Sequence, residues 1–470
     1  MLLIILSVFI DQFWIRPDQT KIRLIEIMVL FKGKGYVRNI IINDLTSVAK
    51  EPGSYLFLFF QLVFFSNLVR QFGTDEFLII NLIFSFILCL AKNRLTKRSL
   101  KVIAISILLF TLMNLISSFV FGLNLKLYAG YVGRIILGYL IVSYFRDDFF
   151  EKLENMVLIL AIISLPFYLI QIIYPQFFSF FDSISDAVLI DARFEQTEQN
   201  QLGHKYLFVF LYNGWAVLRN SGFMWEPAAF GAVLSWAAIF NIIRNKFRIN
   251  HRFYILLITA ITTFSLGTYV YFTGILLILV ITNYKNSSIK VLLFFGVLIL
   301  LGSRLEFTSK NIDMMTEKIE AEVVHRERAL TGEASEAEIS RLAAFDINFR
   351  YFFEWPFGYG TGIDNINELK YLGKSPNGLM RMMVTWGIFG LVLIVWSVIK
   401  LVNYKISYYQ NHVSWLVKTG LIILLILPLS GNPFYNQPLL FSIFFGIWVL
   451  NRQILYPVRE YFTLQEYAGK

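Results

Sequence analysis

Long apolar blocks joined by short basic connections are the feature that most limits what this chain can fold into. A helix needs about 20 mostly apolar residues to cross a bilayer. The runs that meet or approach this are Tyr55–Val69, Phe77–Ala91, Val102–Phe121, Tyr128–Phe145 and Met156–Tyr174, then Ala228–Ile243 and Phe253–Asn283. Val291–Leu301, Leu379–Val402, Trp415–Leu429 and Leu439–Leu450 follow. Gly267 and Gly274 interrupt the long run from Phe253, which predicts two short spans divided near Gly267. The expected fold is therefore all-α: one polytopic membrane domain over 1–470 with about twelve transmembrane helices. Residues 1–50 would add a span or lie as an amphipathic helix on the surface. Their first residues, MLLIILSVFIDQFWIRP, lack a basic leader and a small-residue cleavage site, and so do not read as a signal peptide.

Composition agrees. Of the 470 residues, 57% are hydrophobic and 16% charged, against about a quarter charged in soluble domains. The net charge of +10 does not indicate nucleic acid, because the basic residues sit in the short connections, as at cytoplasmic membrane edges. Lys92, Arg94, Lys97, Arg98 and Lys101 mark one such edge, and Arg244, Lys246, Arg248 and Arg252 a second. Lys285 with Lys290, and Lys400 with Lys405, mark two more. Arg146–Glu154 falls on the same side by alternation yet is slightly acidic. Two large loops, 175–227 and 302–376, then face outside; the second carries 13 acidic against 9 basic residues. The single cysteine, Cys89, excludes a disulfide, and the four scattered histidines have no metal-ligand spacing. No metal and no cofactor are expected. Neither an internal repeat nor paired broken helices are visible, which counts against an inverted-repeat transporter.

Chemistry is expected around Arg219–Gly231, RNSGFMWEPAAFG. Pro227 suits the first turn of a helix, and that puts Glu226 at its positive N-terminal edge. Glu226 and Arg219 read either as a catalytic pair or as a helix cap with a headgroup-level cation. In the second loop, Ser335 and Glu338 form a capping-box pattern. Leu342, Phe345, Phe349 and Phe352 then recur at helical spacing up to Pro356. Arg341 lies one turn into that helix, where its fork could hold phosphate oxygens or pair with Glu338. PFGYGTG, containing Tyr359, makes a glycine-rich turn after it. Arg134 sits within an apolar span, a costly position that suggests function, although snorkelling would also explain it. Asn377 opens SPNGLMRMMVTWGIFGLVL, Arg381 lies one turn inside, and Gly387 and Gly390 would let a neighbouring helix approach. Several positive side chains on one face suit an anionic, lipid-anchored ligand such as a lipid-linked diphosphate.

Taken in this order, RNSGFMWEPAAFG, Arg341 with PFGYGTG, and SPNGL…WGIFG resemble the bacterial O-antigen polymerase and O-antigen ligase superfamily of oligosaccharide repeat-unit polymerases. The resemblance covers roughly 219–390. It implies a fold like that of the membrane-embedded C-type glycosyltransferases, in the bacterial cytoplasmic (inner) membrane with the active site outside. It also implies a donor glycan on undecaprenyl diphosphate, with Arg219 and Arg341 stabilising the departing diphosphate; Arg134, Asn377, Arg381 and Tyr359 are the candidate substrate-binding residues. A chain-length regulator and a flippase of the same pathway are the implied partners, besides membrane lipids. Ligases of the superfamily tend to carry a histidine where this chain has Asn377. That favours the polymerase over the ligase and leaves Glu226 as candidate base. A lipid-linked glycan flippase is the reading from another class. Glu226→Gln is expected to abolish chain extension; polymer of full length from this variant would remove Glu226 as a base.

Overall fold

The computed structural model describes residues 51–66, 75–122, 124–181, 205–212, 219–282, 341–365, 378–409, 412–431, 434 and 437–450. Eleven helices carry most of them: α1 (Pro52–Phe65), α2 (Asp75–Ala91), α3 (Lys97–Phe121), α4 (Leu125–Phe145), α5 (Phe149–Ile173), α6 (Pro227–Arg244), α7 (His251–Thr262), α8 (Leu266–Thr282), α9 (Arg341–Glu354), α10 (Gly378–Tyr408) and α11 (Trp415–Ile426). A last segment from Pro438 to Trp448 passes through α, π and 3₁₀ turns in succession. Contacts divide the chain into 1–57 and 58–470. The expectations for residues 1–50, for the run Val291–Leu301, for the Ser335–Glu338 cap and for Asn377 lie outside the described residues.

The helix limits follow the apolar runs and their caps. The Thr96 side chain accepts from Ser99 N and the Ser99 hydroxyl accepts from Thr96 N, closing a capping box on α3. Asn124, Asn250 and Ser414 cap α4, α7 and α11 one-sidedly, each side chain accepting from the backbone N–H three residues on. Each cap satisfies an N–H that has no partner inside its helix. Four stretches are long and apolar enough to cross a membrane: Lys97–Phe121, Leu125–Ile173, Pro227–Arg244 and Gly378–Tyr408. The second of these is α4 and α5, joined by a single 3₁₀ turn at Arg146–Asp148. Helices α2 and α3 expose rows of large apolar residues, among them Ile80, Ile83, Ile87, Leu108, Leu112 and Phe119. Such surfaces suit lipid rather than water. Helix α6 is the opposite case: every residue from Pro227 to Ile243 is buried, and it packs chiefly against α5, α7 and α8. Cys89 is also buried, its thiol donating to the Leu140 carbonyl at 3.3 Å.

The run from Phe253 divides between Thr262 and Leu266, beside the expected Gly267. Its halves form a hairpin. Phe253 meets Phe272, and the Tyr269 hydroxyl donates to the Ile261 carbonyl at 2.9 Å. Helix α9 ends at Glu354, as Pro356 predicts, and of the expected apolar stripe Phe352 is buried while Phe345 and Phe349 are not. Asn348, Tyr351 and Phe352 face inward, whereas Phe345 and Phe349 are 37% and 42% exposed and stack on each other. Leucine and phenylalanine spacing marked an apolar stripe; the tertiary partner covers its Phe352 end together with Asn348 and Tyr351 beside it.

One end of the bundle is held by a buried ionic cluster. The Glu154 carboxylate, 1% exposed, accepts from Arg244 Nη2 at 2.6 Å, Arg252 Nη1 at 3.3 Å and Asn241 Nδ2 at 2.7 Å. This ties α5 to α6 and α7. Nearby, the Tyr404 hydroxyl of α10 donates to Asp147 at 2.7 Å. The buried Lys405 ammonium lies 4.5 Å from the Phe150 ring centroid, beside a water-sized cavity lined also by Glu151, Glu154 and Tyr409. The slightly acidic character of Arg146–Glu154 is thus explained: Glu151 and Glu154 partner Arg244 and Arg252, and Asp147 accepts from Tyr404. Removing one member of a buried ion pair strands the others. Glu154→Gln is expected to cost about 3 kcal/mol. Glu151→Gln, on a half-exposed pair with Arg244, is expected to cost about 0.5 kcal/mol or less. Unfolding midpoints in detergent would check both.

Candidate functional site

The stretch Arg219–Gly231 lies at the opposite end of α6 from that cluster. Its shape is dictated by close contacts. Gly222 has φ +51°, and a Cβ there would lie 2.5 Å from the Phe230 ring. The chain therefore turns back tightly onto α6, with Phe223 and Phe230 edge to face. Pro227 begins α6, and Glu226 takes the extended N-cap backbone, φ −153°, ψ 156°. Its carboxylate makes no capping hydrogen bond and is half-buried at the mouth of the helix. Further in, a Cβ on Gly231 would overlap the Thr268 side chain, so α6 and α8 cross at near backbone contact.

Arg219 and Asn220 dock on the tip of the α7–α8 hairpin. Arg219 Nε donates to the Thr263 carbonyl at 3.1 Å, and Asn220 N to the Thr262 carbonyl at 3.0 Å. Above them sits a two-residue antiparallel pair, β1 (Lys205–Tyr206) and β2 (Leu211–Tyr212), in what was expected to be plain loop. It is bonded to the motif through Leu211 N and the Gly222 carbonyl, 2.6 Å apart. The Tyr206 hydroxyl is within hydrogen-bond distance of Ser66 and donates toward the Phe208 and Phe223 carbonyls. Burial pushes its phenol well above the ordinary value, against the Ser66 hydrogen bond. Tyr206 is therefore a structural donor and not a base.

The second and third motifs form a single unit. Helix α10 is broken at Gly387, φ +64°, ψ −164°, a conformation essentially confined to glycine. The turn after α9 fills the break. Tyr359 N donates to the Val384 carbonyl and Ile388 N to the Pro356 carbonyl, both at 2.8 Å. Gly358 and Gly387 meet so closely that a Cβ on either would lie within 2.6 Å of the other segment's backbone. Sequence reasoning expected Gly387 and Gly390 to admit a helix. What Gly387 admits is this turn, while Gly390 faces Trp386 of its own helix. Helix α3 completes the unit: Ser117 donates to the Gly358 carbonyl, and Asn114 Oδ1 accepts from Thr361 N at 3.0 Å.

Both regions stand at a similar height. Pro227 to Arg244 and Gly387 to Tyr404 each advance seventeen residues, about 26 Å of helix, and Arg244 and Tyr404 both belong to the ionic end. The mouth of α6 and the break in α10 thus share the far end, separated from the ionic cluster by roughly the thickness of a bilayer core. Of the predicted residues, Arg219 and Glu226 are half-buried there. Arg381 is 3% exposed, six residues before the break. Tyr359 is 4% exposed; its ring packs on Phe121 and its hydroxyl donates to the Tyr351 carbonyl. It is thus a packing residue of the junction. Arg134 is half-buried in α4, with Nη1 folded back over Gly130, one turn nearer the start of the helix. That is the snorkelling direction. Arg341 is the first residue of α9, and only its backbone is described.

Sequence reasoning missed Asn220, Asn114, Ser117 and the threonines at the hairpin tip. Buried amides and hydroxyls carry no charge or periodicity that would set them apart from loop residues. The chain has no significant match among protein-family models, curated proteins or solved structures. Gly387→Ala tests the junction: strain plus overlap with Phe357 is expected to cost about 3 kcal/mol. A thermal midpoint equal to that of the wild type would show that the turn does not need the glycine.

Proposed function

We propose that this protein is a metal-independent membrane glycosyltransferase that polymerises undecaprenyl-diphosphate-linked oligosaccharide repeat units into a surface polysaccharide. The observation that carries this reading is that RNSGFMWEPAAFG and the joined PFGYGTG and WGIFG lie at the same end of their helices, away from the ionic cluster. In this reading the ionic end is cytoplasmic, the chain has about twelve spans, and the site faces outside.

The reaction asks little covalent chemistry of the protein. An acceptor sugar hydroxyl attacks the anomeric carbon of the donor, a new C–O bond forms, and the bond to the lipid diphosphate breaks. The proton passes to a base, for which Glu226 at the mouth of α6 is the candidate. The diphosphate leaves with its charge matched by Arg219 and Arg341. Preorganised positive charge at a leaving group is among the largest catalytic contributions in a water-poor site. Arg134, Arg381 and Asn377 remain the candidate substrate-binding residues; Tyr359 does not, because it is packed into the junction.

Deleting the protein from its cell should remove long glycan chains while single repeat units persist. Loss of all surface glycan with long polymer retained on the lipid carrier would instead indicate a ligase. Arg219→Ala and Arg341→Ala are each expected to lower polymer formation by about 10²-fold or more. Normal polymer from both variants would overturn the diphosphate clamp.

A further inference from the structure

Asn220 is fully buried, and every polar contact it makes has a defined sense. Its Nδ2 donates to Ser164 Oγ on α5 at 3.2 Å and to Thr262 Oγ1 on α7 at 2.9 Å. Both hydroxyls have already given their protons to backbone: Ser164 to the Ala161 carbonyl and Thr262 to the Thr259 carbonyl. They can therefore only accept from Asn220. Its Oδ1 accepts from Gly222 N at 2.9 Å and fixes the turn behind it. The amide thus has one orientation, with both Nδ2 protons engaged. The residue before it, Arg219, hangs by Nε from the Thr263 carbonyl next to Thr262. Holding a guanidinium through Nε sets its plane, and its terminal fork is the part a diphosphate would meet.

We propose that Asn220 is a positioning residue for Arg219. By locking the chain to α5 and to the hairpin tip, it sets where the Arg219 guanidinium stands. This rests on the reading of Arg219 as a diphosphate ligand. It goes beyond that reading by naming the neutral group that makes the ligand geometry rigid.

The test uses the full-length protein in lipid nanodiscs, with undecaprenyl diphosphate as the probe, in a double-mutant cycle. Asn220→Asp is nearly isosteric but turns two donor contacts into acceptor facing acceptor. It is expected to weaken binding about 10-fold, as is Arg219→Ala, and the double variant should bind no more weakly than Arg219→Ala alone. A merely structural role would give additive losses, and additivity would overturn the proposal. Thr262→Val, which removes one acceptor at nearly constant volume, is read the same way if Asn220→Asp fails to reach the membrane. An unchanged Kd in Arg219→Ala would count against the diphosphate clamp itself. Weakening by Arg219→Ala with no effect of Asn220→Asp or Thr262→Val would overturn only the role of Asn220.

Discussion

A helix inside a membrane can break only where something else meets its backbone. In an apolar medium a freed N–H or C=O costs several kcal/mol unless it is paired. Helix α10 breaks at Gly387, and the turn 356–362 answers its Val384 carbonyl and Ile388 N–H. Three segments far apart in sequence become one body through this requirement, because the same turn is bonded to Asn114 and Ser117 of α3. The position of Arg381, and the direction in which α9 enters the turn, follow from it.

The mouth of α6 obeys the same rule with side chains in place of backbone. Around Asn220, hydroxyls already committed to helix carbonyls become acceptors for a buried amide. The result is a rigid loop at the end of the most buried helix of the described bundle. Two half-buried charged residues, Arg219 and Glu226, stand at its rim. Rigidity next to charge is what electrostatic catalysis needs, since dipoles that are already oriented need not reorganise as the reaction proceeds. The ionic cluster of Glu154, Arg244 and Arg252 holds the other end of the same helices. Between the two ends lie apolar contacts and little polar chemistry.

Much of the fold was legible because apolar runs have a physical length. Helix limits at Ala91, Phe121 and Phe145 coincide with the ends of apolar runs, and Pro227 marked the start of α6. The candidate site was legible only where it carries charge, proline or glycine. Arg219, Glu226 and the two glycine motifs stood out, whereas Asn220 and Asn114 did not. Nor could spacing tell how much of the apolar stripe of α9 would be buried, since Tyr351 beside it is aromatic too.

The sequence by itself determined that the chain forms apolar helices, with four stretches long and apolar enough to cross a membrane, where its principal helices run, and that its distinctive polar motifs lie at their ends. Hydrophobic length and local capping settle those matters within a few turns of chain. Only the tertiary structure decided that Gly387 receives a turn rather than a helix, and that an acidic connection supplies Glu154 to Arg244 and Arg252. It alone also decided that a neutral asparagine anchors the arginine motif. Those outcomes depend on hydrogen-bond partners tens to hundreds of residues away, and satisfying a buried polar group is a condition that no local pattern records.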